Sequence, residues 1–293
     1  MENSWLRRLD FWAAASSVRH VTGAIRGFGL LLFPTECVVC GALDASLCYR
    51  CSIIFRRATV RPFRAESEAA SLPESEWSPR LVPADGFEPL AVTSAGVYGD
   101  VVSQVLLAYK NGGHTDLASP LLSALAGALH RGIQDYRTKE TSILLIPVPS
   151  RGKSFRRRGY DPIGLLLRRT HRWRLLPAGT AIASPLRYTM RSAMQQVLPR
   201  GSIGGNQLGL GKRKRATNVR GTMRVKASRQ AAISGRVCVV VDDVLTTGST
   251  IAEVTRALRD AGGLVAGAVV IAAAAGTGRS NQHQANPQLP RGE

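Results

Sequence analysis

The run Val239-Val-Val-Asp242-Asp243-Val-Leu-Thr246-Thr247-Gly248-Ser249-Thr250 constrains this chain more than any other stretch. A β-branched apolar run that stops at two carboxylates reads as a buried strand reaching the edge of a sheet. A loop of small hydroxyl residues around one glycine then opens a helix. Such a loop can turn backbone N–H groups and hydroxyls onto one phosphate, and the helix start adds its positive dipole. Gly248 permits close approach of the backbone. The adjacent carboxylates suit sugar hydroxyls, because an ionised carboxylate only accepts and a diol donates two hydrogen bonds. A pentose bearing a 5-phosphate matches both halves. Two other readings share these residues. The hydroxyl run can simply cap a helix. An apolar strand ending in Asp-Asp also resembles a Walker B strand, which needs a phosphate-binding P-loop. The nearest approach to one, around Gly152-Lys153-Ser154, places Pro147 where the first glycine is required. Proline lacks the N–H and fixes φ, so it cannot form that nest.

The pattern around this run predicts strands over Leu90–Tyr98, Ser142–Val148, Arg236–Val241 and Leu264–Ala272. Helices are expected over Val101–Lys110, Leu117–Ile133, Pro162–Arg172 and Thr250–Asp260, with a basic loop after Val148. Continuous apolar strands separated by helices indicate an α/β fold with a parallel sheet covered on both faces. In such sheets ligands bind beyond the carboxyl ends of the strands.

Charge narrows the ligand. The net charge is +19, and the excess is local: Arg151–Arg229 holds 20 Lys and Arg against the single acid Asp161. The rest of the chain balances. Such a field attracts polyanions, whether nucleic acid or a phosphorylated small molecule, although a solvated basic surface has the same composition.

Four of the five cysteines form Cys37-x2-Cys40-x7-Cys48-x2-Cys51. Two knuckles of this kind converge four soft ligands on one point, which suits a closed tetrahedral Zn2+ site with no open position for substrate. Two disulfides or a redox pair are the alternatives. Cys238, inside an apolar strand, reads as a buried small residue.

These features divide the chain into an amphipathic helical lead-in (1–33), a four-cysteine module (34–56), a linker rich in Arg, Glu, Ser and Pro (57–88), the α/β region (89–275) and a tail (276–293). No apolar run approaches the ~18–20 residues of a membrane span, and no secretory h-region follows Arg7 and Arg8, so the expected compartment is the cytoplasm.

The segment VVVDDVLTTGST resembles the 5-phosphoribosyl-1-pyrophosphate (PRPP) signature of type I phosphoribosyltransferases. With the cysteine module ahead of it, the chain is similar to the ComF/GntX family of competence and DNA-utilisation proteins. Further matches are Tyr98-Gly, Tyr109-Lys110 with Gly112, Pro147-Val-Pro149, Arg158-Gly159-Tyr160, and Gln207-x2-Leu210-x4-Arg215-x2-Asn218-x2-Gly221. The family commonly continues its RG-aromatic element with Asn-Gln, where this chain has Asp161-Pro162.

The resemblance implies a type I phosphoribosyltransferase (Rossmann-like) fold with a small N-terminal zinc-binding module. It implies catalytic roles for Asp242 and Asp243, which would hold the ribose hydroxyls. Thr246, Thr247, Gly248, Ser249 and Thr250 would bind the 5-phosphate. Ser150, Arg157, Arg158 and Gly159 would contact pyrophosphate, and Lys110 and Arg215 would also face the substrate. Gln207–Asn218 would form a hood closing over the reaction, and Mg2+ would be bridged by pyrophosphate and ribose oxygens. Two function classes remain in view. One is phosphoribosyl transfer from PRPP to an acceptor. The other is an accessory role in DNA uptake, binding single-stranded DNA through the basic segment and meeting other competence proteins.

Overall fold

The computed structural model describes residues 35–77, 88–111, 113–136, 142–189 and 220–274. The expected lead-in, the tail and the hood with Arg215 lie outside them. The described chain forms two compact units that divide between Ser52 and Ile53.

The larger unit is built on a six-stranded sheet. Its strands are β1 (Phe63–Arg64), β2 (Val92–Val97), β3 (Ile143–Pro147), β4 (Thr180–Ile182), β7 (Val237–Leu245) and β8 (Leu264–Ala273), in the order β1-β2-β8-β7-β3-β4. All neighbours are parallel except the edge pair β1–β2. The fold is thus α/β with a mostly parallel central sheet. A separate antiparallel ribbon joins β5 (Leu186–Tyr188) to β6 (Met223–Val225).

The helices are α1 (Tyr49–Thr59), α2 (Asp100–Asn111), α3 (Ala118–Ile133), α4 (Gly152–Arg158), α5 (Pro162–Arg172) and α6 (Ser249–Arg259). Alternation along the central strands explains how helices cover both faces. Cys238 and Val240 of β7 pack in one core with Ile251, Val254, Ala257 and Leu258 of α6. Val239 and Val241, also fully buried, point to the opposite face.

Two differences from the sequence reading matter. Part of the stretch expected to be linker is built into the sheet. Phe63 and Arg64 pair with Ser94 and Thr93, and Ala65, Ala69 and Leu72 are buried in the same core as α6. The expected basic loop after β3 contains helix α4, closed by Gly159 in the left-handed conformation at φ +75°.

The topology positions the site. From β3 the chain passes to β4 on one side, and from β7 it passes through α6 to β8 on the other. The adjacent carboxyl ends of β3 and β7 therefore form a topological switch point, where the two outgoing loops splay apart and leave a crevice. Among the described residues no helix is long and apolar enough to cross a membrane.

Candidate functional site

Strand β7 does not stop at the acidic pair but runs on to Leu245. Asp242 and Asp243 therefore sit in extended backbone at the carboxyl end of the strand. Both are half-buried. Asp243 Oδ2 lies 2.7 Å from Lys110 Nζ, which reaches over from the last turn of α2. Asp242 Oδ1 accepts a hydrogen bond from the N–H of Asp243 at 2.8 Å. Burial, and then the negative charge of Asp243, push the Asp242 carboxyl up to about 7. Asp243 is thus ion-paired with a lysine, while burial and its neighbour's charge favour the protonated form of Asp242.

The loop after β7 has the form expected of a phosphate nest. Gly248 takes φ +83°, a conformation that L side chains rarely adopt, and a Cβ there would meet Leu72 Cδ2 at 2.9 Å. Thr247 and Ser249 hydroxyls share a hydrogen bond at 2.8 Å, and the Ser249 N–H points to Thr247 Oγ1 at 3.4 Å. The loop is pinned from outside by the Ser71 N–H, which donates to the Thr247 carbonyl at 2.9 Å. Among the described residues the N–H groups of Thr246, Thr247 and Gly248 have no acceptor. Three free donors at the start of an eleven-residue helix can receive an anion. Thr246 is exposed, and Thr250 is half-buried on the first turn of α6.

Across the crevice, the residues after β3 lock onto the end of α2. Arg158 donates through Nη1 to the Lys110 carbonyl at 2.9 Å and through Nε to the Ser154 carbonyl at 3.2 Å. The Tyr160 hydroxyl donates to the Tyr109 carbonyl, and the Tyr109 hydroxyl to the Pro162 carbonyl at 3.2 Å. Arg157 Nη2 reaches Asn111 Oδ1 at 3.3 Å. Asn111, Gly113, Arg157, Arg158 and Tyr160 line an open cavity of about 580 Å3. The arginine expected to contact pyrophosphate is therefore also a structural tie. It fixes the helix that delivers Lys110 to Asp243.

Sequence reasoning gave Asp161 no role, because it departs from the family's Asn. In the structure it receives the Ser150 hydroxyl at 2.9 Å and occupies the N-cap position of α5. Burial raises its pKa. Its place directly before Pro162, a favoured first helical residue, was the available signal. Tyr188 was also missed as a site residue: its hydroxyl donates to the Pro149 carbonyl at 3.1 Å, so β5 buttresses the loop carrying Ser150. That contact spans 39 positions, and nothing local announces it.

In the smaller unit, the four cysteine sulfurs lie within 4.8 Å of one another, and all are free thiols. Cys40 Sγ and Cys48 Sγ are 3.6 Å apart. A disulfide requires about 2.05 Å, whereas a tetrahedral S4 site with Zn–S bonds of about 2.3 Å has sulfur–sulfur edges of roughly 3.8 Å. Gly41, at φ +73°, turns the chain after the first knuckle and donates its N–H to the Cys37 carbonyl at 2.9 Å. Burial and the neighbouring thiols raise the Cys51 pKa, whereas at Cys37 burial is outweighed by backbone N–H groups, which lower it to about 6. The donor set fits a metal such as zinc.

Residues 206–286 match the family model described as phosphoribosyl transferase domain. Over 40 residues the chain is 62% identical to orotate phosphoribosyltransferase of Pyrobaculum islandicum, covering 14% of this chain and 21% of that protein. Over 141 residues it is 30% identical to competence protein F of Haemophilus influenzae, covering 47% of this chain and 55% of that protein. The matches thus span about a fifth and about half of those relatives. Residues 206–286, which include the β7–α6 loop, thus match a phosphoribosyl transferase domain, and this α/β chain with its clustered four-cysteine module is similar over about half its length to competence protein F.

Proposed function

We propose that the crevice binds PRPP with Mg2+ and transfers its phosphoribosyl group to an acceptor, releasing pyrophosphate. The observation that supports this best is the pairing, on one strand end, of two carboxylates with a loop of unpartnered N–H donors. The first matches a ribose diol and the second a 5-phosphate. In the transfer, the bond from C1 of the ribose to pyrophosphate breaks, and pyrophosphate leaves with the electron pair. The acceptor bonds to C1 and sheds its proton. The chain supplies position and charge. Asp242 and Asp243 hold the diol, the Thr246–Thr250 loop holds the 5-phosphate, and Arg157 and Lys110 face the leaving group. Ser150 is fixed beside them by Asp161. Displacement of this kind needs orientation and electrostatics more than a protein nucleophile. Bound Mg2+ would neutralise pyrophosphate charge, held mainly by substrate oxygens with the acidic pair adjacent. Calorimetric titration of PRPP with Mg2+, followed by product analysis with candidate bases, tests the reading. Absence of binding would sink it.

In the same proposal the cysteine module holds one structural Zn2+, and the protein works in the cytoplasm in a competence-associated role. Purified protein is expected to carry about one zinc per chain. Cys40→Ser should release it and destabilise the module. Metal analysis showing no zinc in the parent protein would overturn this.

One observation favours DNA as an additional partner. Arg187 of β5 sits directly opposite Arg224 of β6 in the ribbon register, and both side chains are exposed. Directly opposed like charges, with Cβ atoms about 5 Å apart, destabilise a strand pair. Among the described residues neither has an acidic partner. Exposed Lys226 and Arg229 continue the patch. A phosphodiester backbone would relieve that repulsion. Replacing Arg187 and Arg224 with Ser should lower single-stranded DNA affinity and shrink the salt slope by about 0.7 per lost contact. An unchanged slope would remove the ribbon from any DNA interface.

A further inference from the structure

The helix that opens at the 5-phosphate loop carries a second device one turn further on. Glu253 of α6 is only 3% exposed. Its Oε1 accepts from the N–H of Met223 at 2.7 Å, and its Oε2 from the N–H of Gly221 at 3.0 Å. Arg256 closes on the same carboxylate, with Nη2 2.9 Å from Oε1 and Nε 2.9 Å from Oε2. Arg256 Nη2 also donates to the Met223 carbonyl at 2.8 Å. Burial alone would raise the Glu253 pKa, but the guanidinium and the two N–H groups outweigh it and hold the carboxyl below its ordinary value.

The ribbon register explains why those N–H groups need a partner. Lys226 donates to the Pro185 carbonyl and Thr189 to the Thr222 carbonyl, so even-numbered residues of β6 bond across to β5. Residues 221 and 223 then present their N–H groups on the outer edge. There a carboxylate and a guanidinium, both from α6, take the place of a neighbouring strand. Directly across the ribbon from Met223 stands Tyr188, whose hydroxyl holds the Pro149 carbonyl at 3.1 Å. Burial raises the pKa of the same phenol, and the nearby Arg151 charge opposes that rise.

A continuous chain of contacts results. It starts at the loop Thr246–Ser249, runs down α6 to Glu253 and Arg256, crosses β6 to Tyr188 of β5, and ends on the loop after β3. The two loops that flank the crevice are joined by this route as well as through the sheet. An apolar side chain on α6 could have packed against the ribbon without the desolvation cost of a buried ion pair. The polar clamp does what packing cannot, because it fixes the register of β6 along the helix.

We infer that Glu253 is a positioning residue that, through the β5–β6 ribbon and Tyr188, sets the pyrophosphate-side loop at the distance from the 5-phosphate loop that a ligand spanning both requires. The inference rests on the PRPP reading of the site. Its consequence is specific to ligand length. A ligand that touches only the 5-phosphate and diol side does not sense the clamp, and one that carries pyrophosphate as well does.

The test uses the full chain, Mg2+, and two probes titrated by calorimetry: ribose 5-phosphate and PRPP. Glu253→Gln keeps the side-chain shape but removes the charge and one acceptor. It is expected to bind ribose 5-phosphate within about twofold of the parent protein and PRPP about tenfold more weakly, within the roughly 5–150-fold typical of coupled sites. Tyr188→Phe removes the link at its other end with the loss of one hydroxyl, and should give the same pattern even if Glu253→Gln folds poorly. The double variant should be no worse than either single variant, because both break one chain of contacts. Equal weakening of both probes would make Glu253 a support of the fold alone, and unchanged PRPP affinity or additive losses would likewise overturn the inference. A parent protein that binds neither probe would instead refute the PRPP site itself, and the inference with it.

Discussion

Asp243→Asn is expected to leave the sheet intact and to weaken PRPP binding about 10–150-fold. The carboxylate sits in the regular part of β7, with its backbone in the parallel ladder and its side chain only 18% exposed. An amide fills the same space, so packing is kept. What changes is chemistry at one atom pair. Asp243 Oδ2 holds Lys110 at 2.7 Å and would offer the same lone pairs to a ribose hydroxyl. The amide puts donors where the diol also donates, and it leaves Lys110 without its counter-charge. Losing one charged hydrogen bond costs roughly 1.5–3 kcal/mol, which is the affinity range given. Thr247→Val should act in the same direction on the 5-phosphate, because it removes the hydroxyl that bonds Ser249 and faces the nest. Calorimetry with PRPP and Mg2+ checks both. Parent-like affinity in both variants would mean that the β7–α6 loop is a helix cap and not a substrate site.

The parts of this site that were legible in the sequence are those whose chemistry is local. The run from Val239 to Thr250 shows its strand, acids, loop and helix within twelve positions, and the structure keeps that order. Helix α5 was readable to its ends, because Pro162 starts it and Leu166 and Leu167 bury its apolar stripe. The four cysteines needed only their spacing. What the sequence concealed has two physical causes. The first is propensity overridden by context. Two adjacent acids read as the end of a strand, yet β7 continues through them because Val244 and Leu245 pair with Ala272 and Ala273 of β8. Helix α4 is short and largely basic, so no apolar period marks it. The second cause is distance along the chain. Tyr188 meets Pro149, Glu253 meets Gly221, and Arg158 meets Lys110 across 39, 32 and 48 positions. Each of these is a side chain bonding to a backbone group, which leaves no paired signal in composition or spacing.

The acidic pair also dictates a pH dependence. Burial and the neighbouring charge of Asp243 raise the Asp242 carboxyl from 3.8 to about 7 in the folded protein. The sign follows from proton counting. Between about pH 4 and 7 the folded chain holds a proton on Asp242 that the unfolded chain has released, so this group's contribution to stability falls as pH rises through that window. Substrate binding moves the opposite way. A ribose diol needs an acceptor, so the ionised carboxylate is the binding form, and PRPP must displace the proton below pH 7. Affinity should therefore climb about tenfold per pH unit from pH 5 and level off above pH 7. Phosphate groups of the ligand titrate in the same region, so the diagnostic quantity is the difference between the parent protein and Asp242→Asn. The variant should bind more weakly at pH 8, and its profile should lose the part of the slope that belongs to the carboxyl. The gap between the two proteins should widen by about two orders of magnitude from pH 5 to pH 8. Parallel profiles at all pH values would show that Asp242 carries no proton in the free site, or that it never meets the diol.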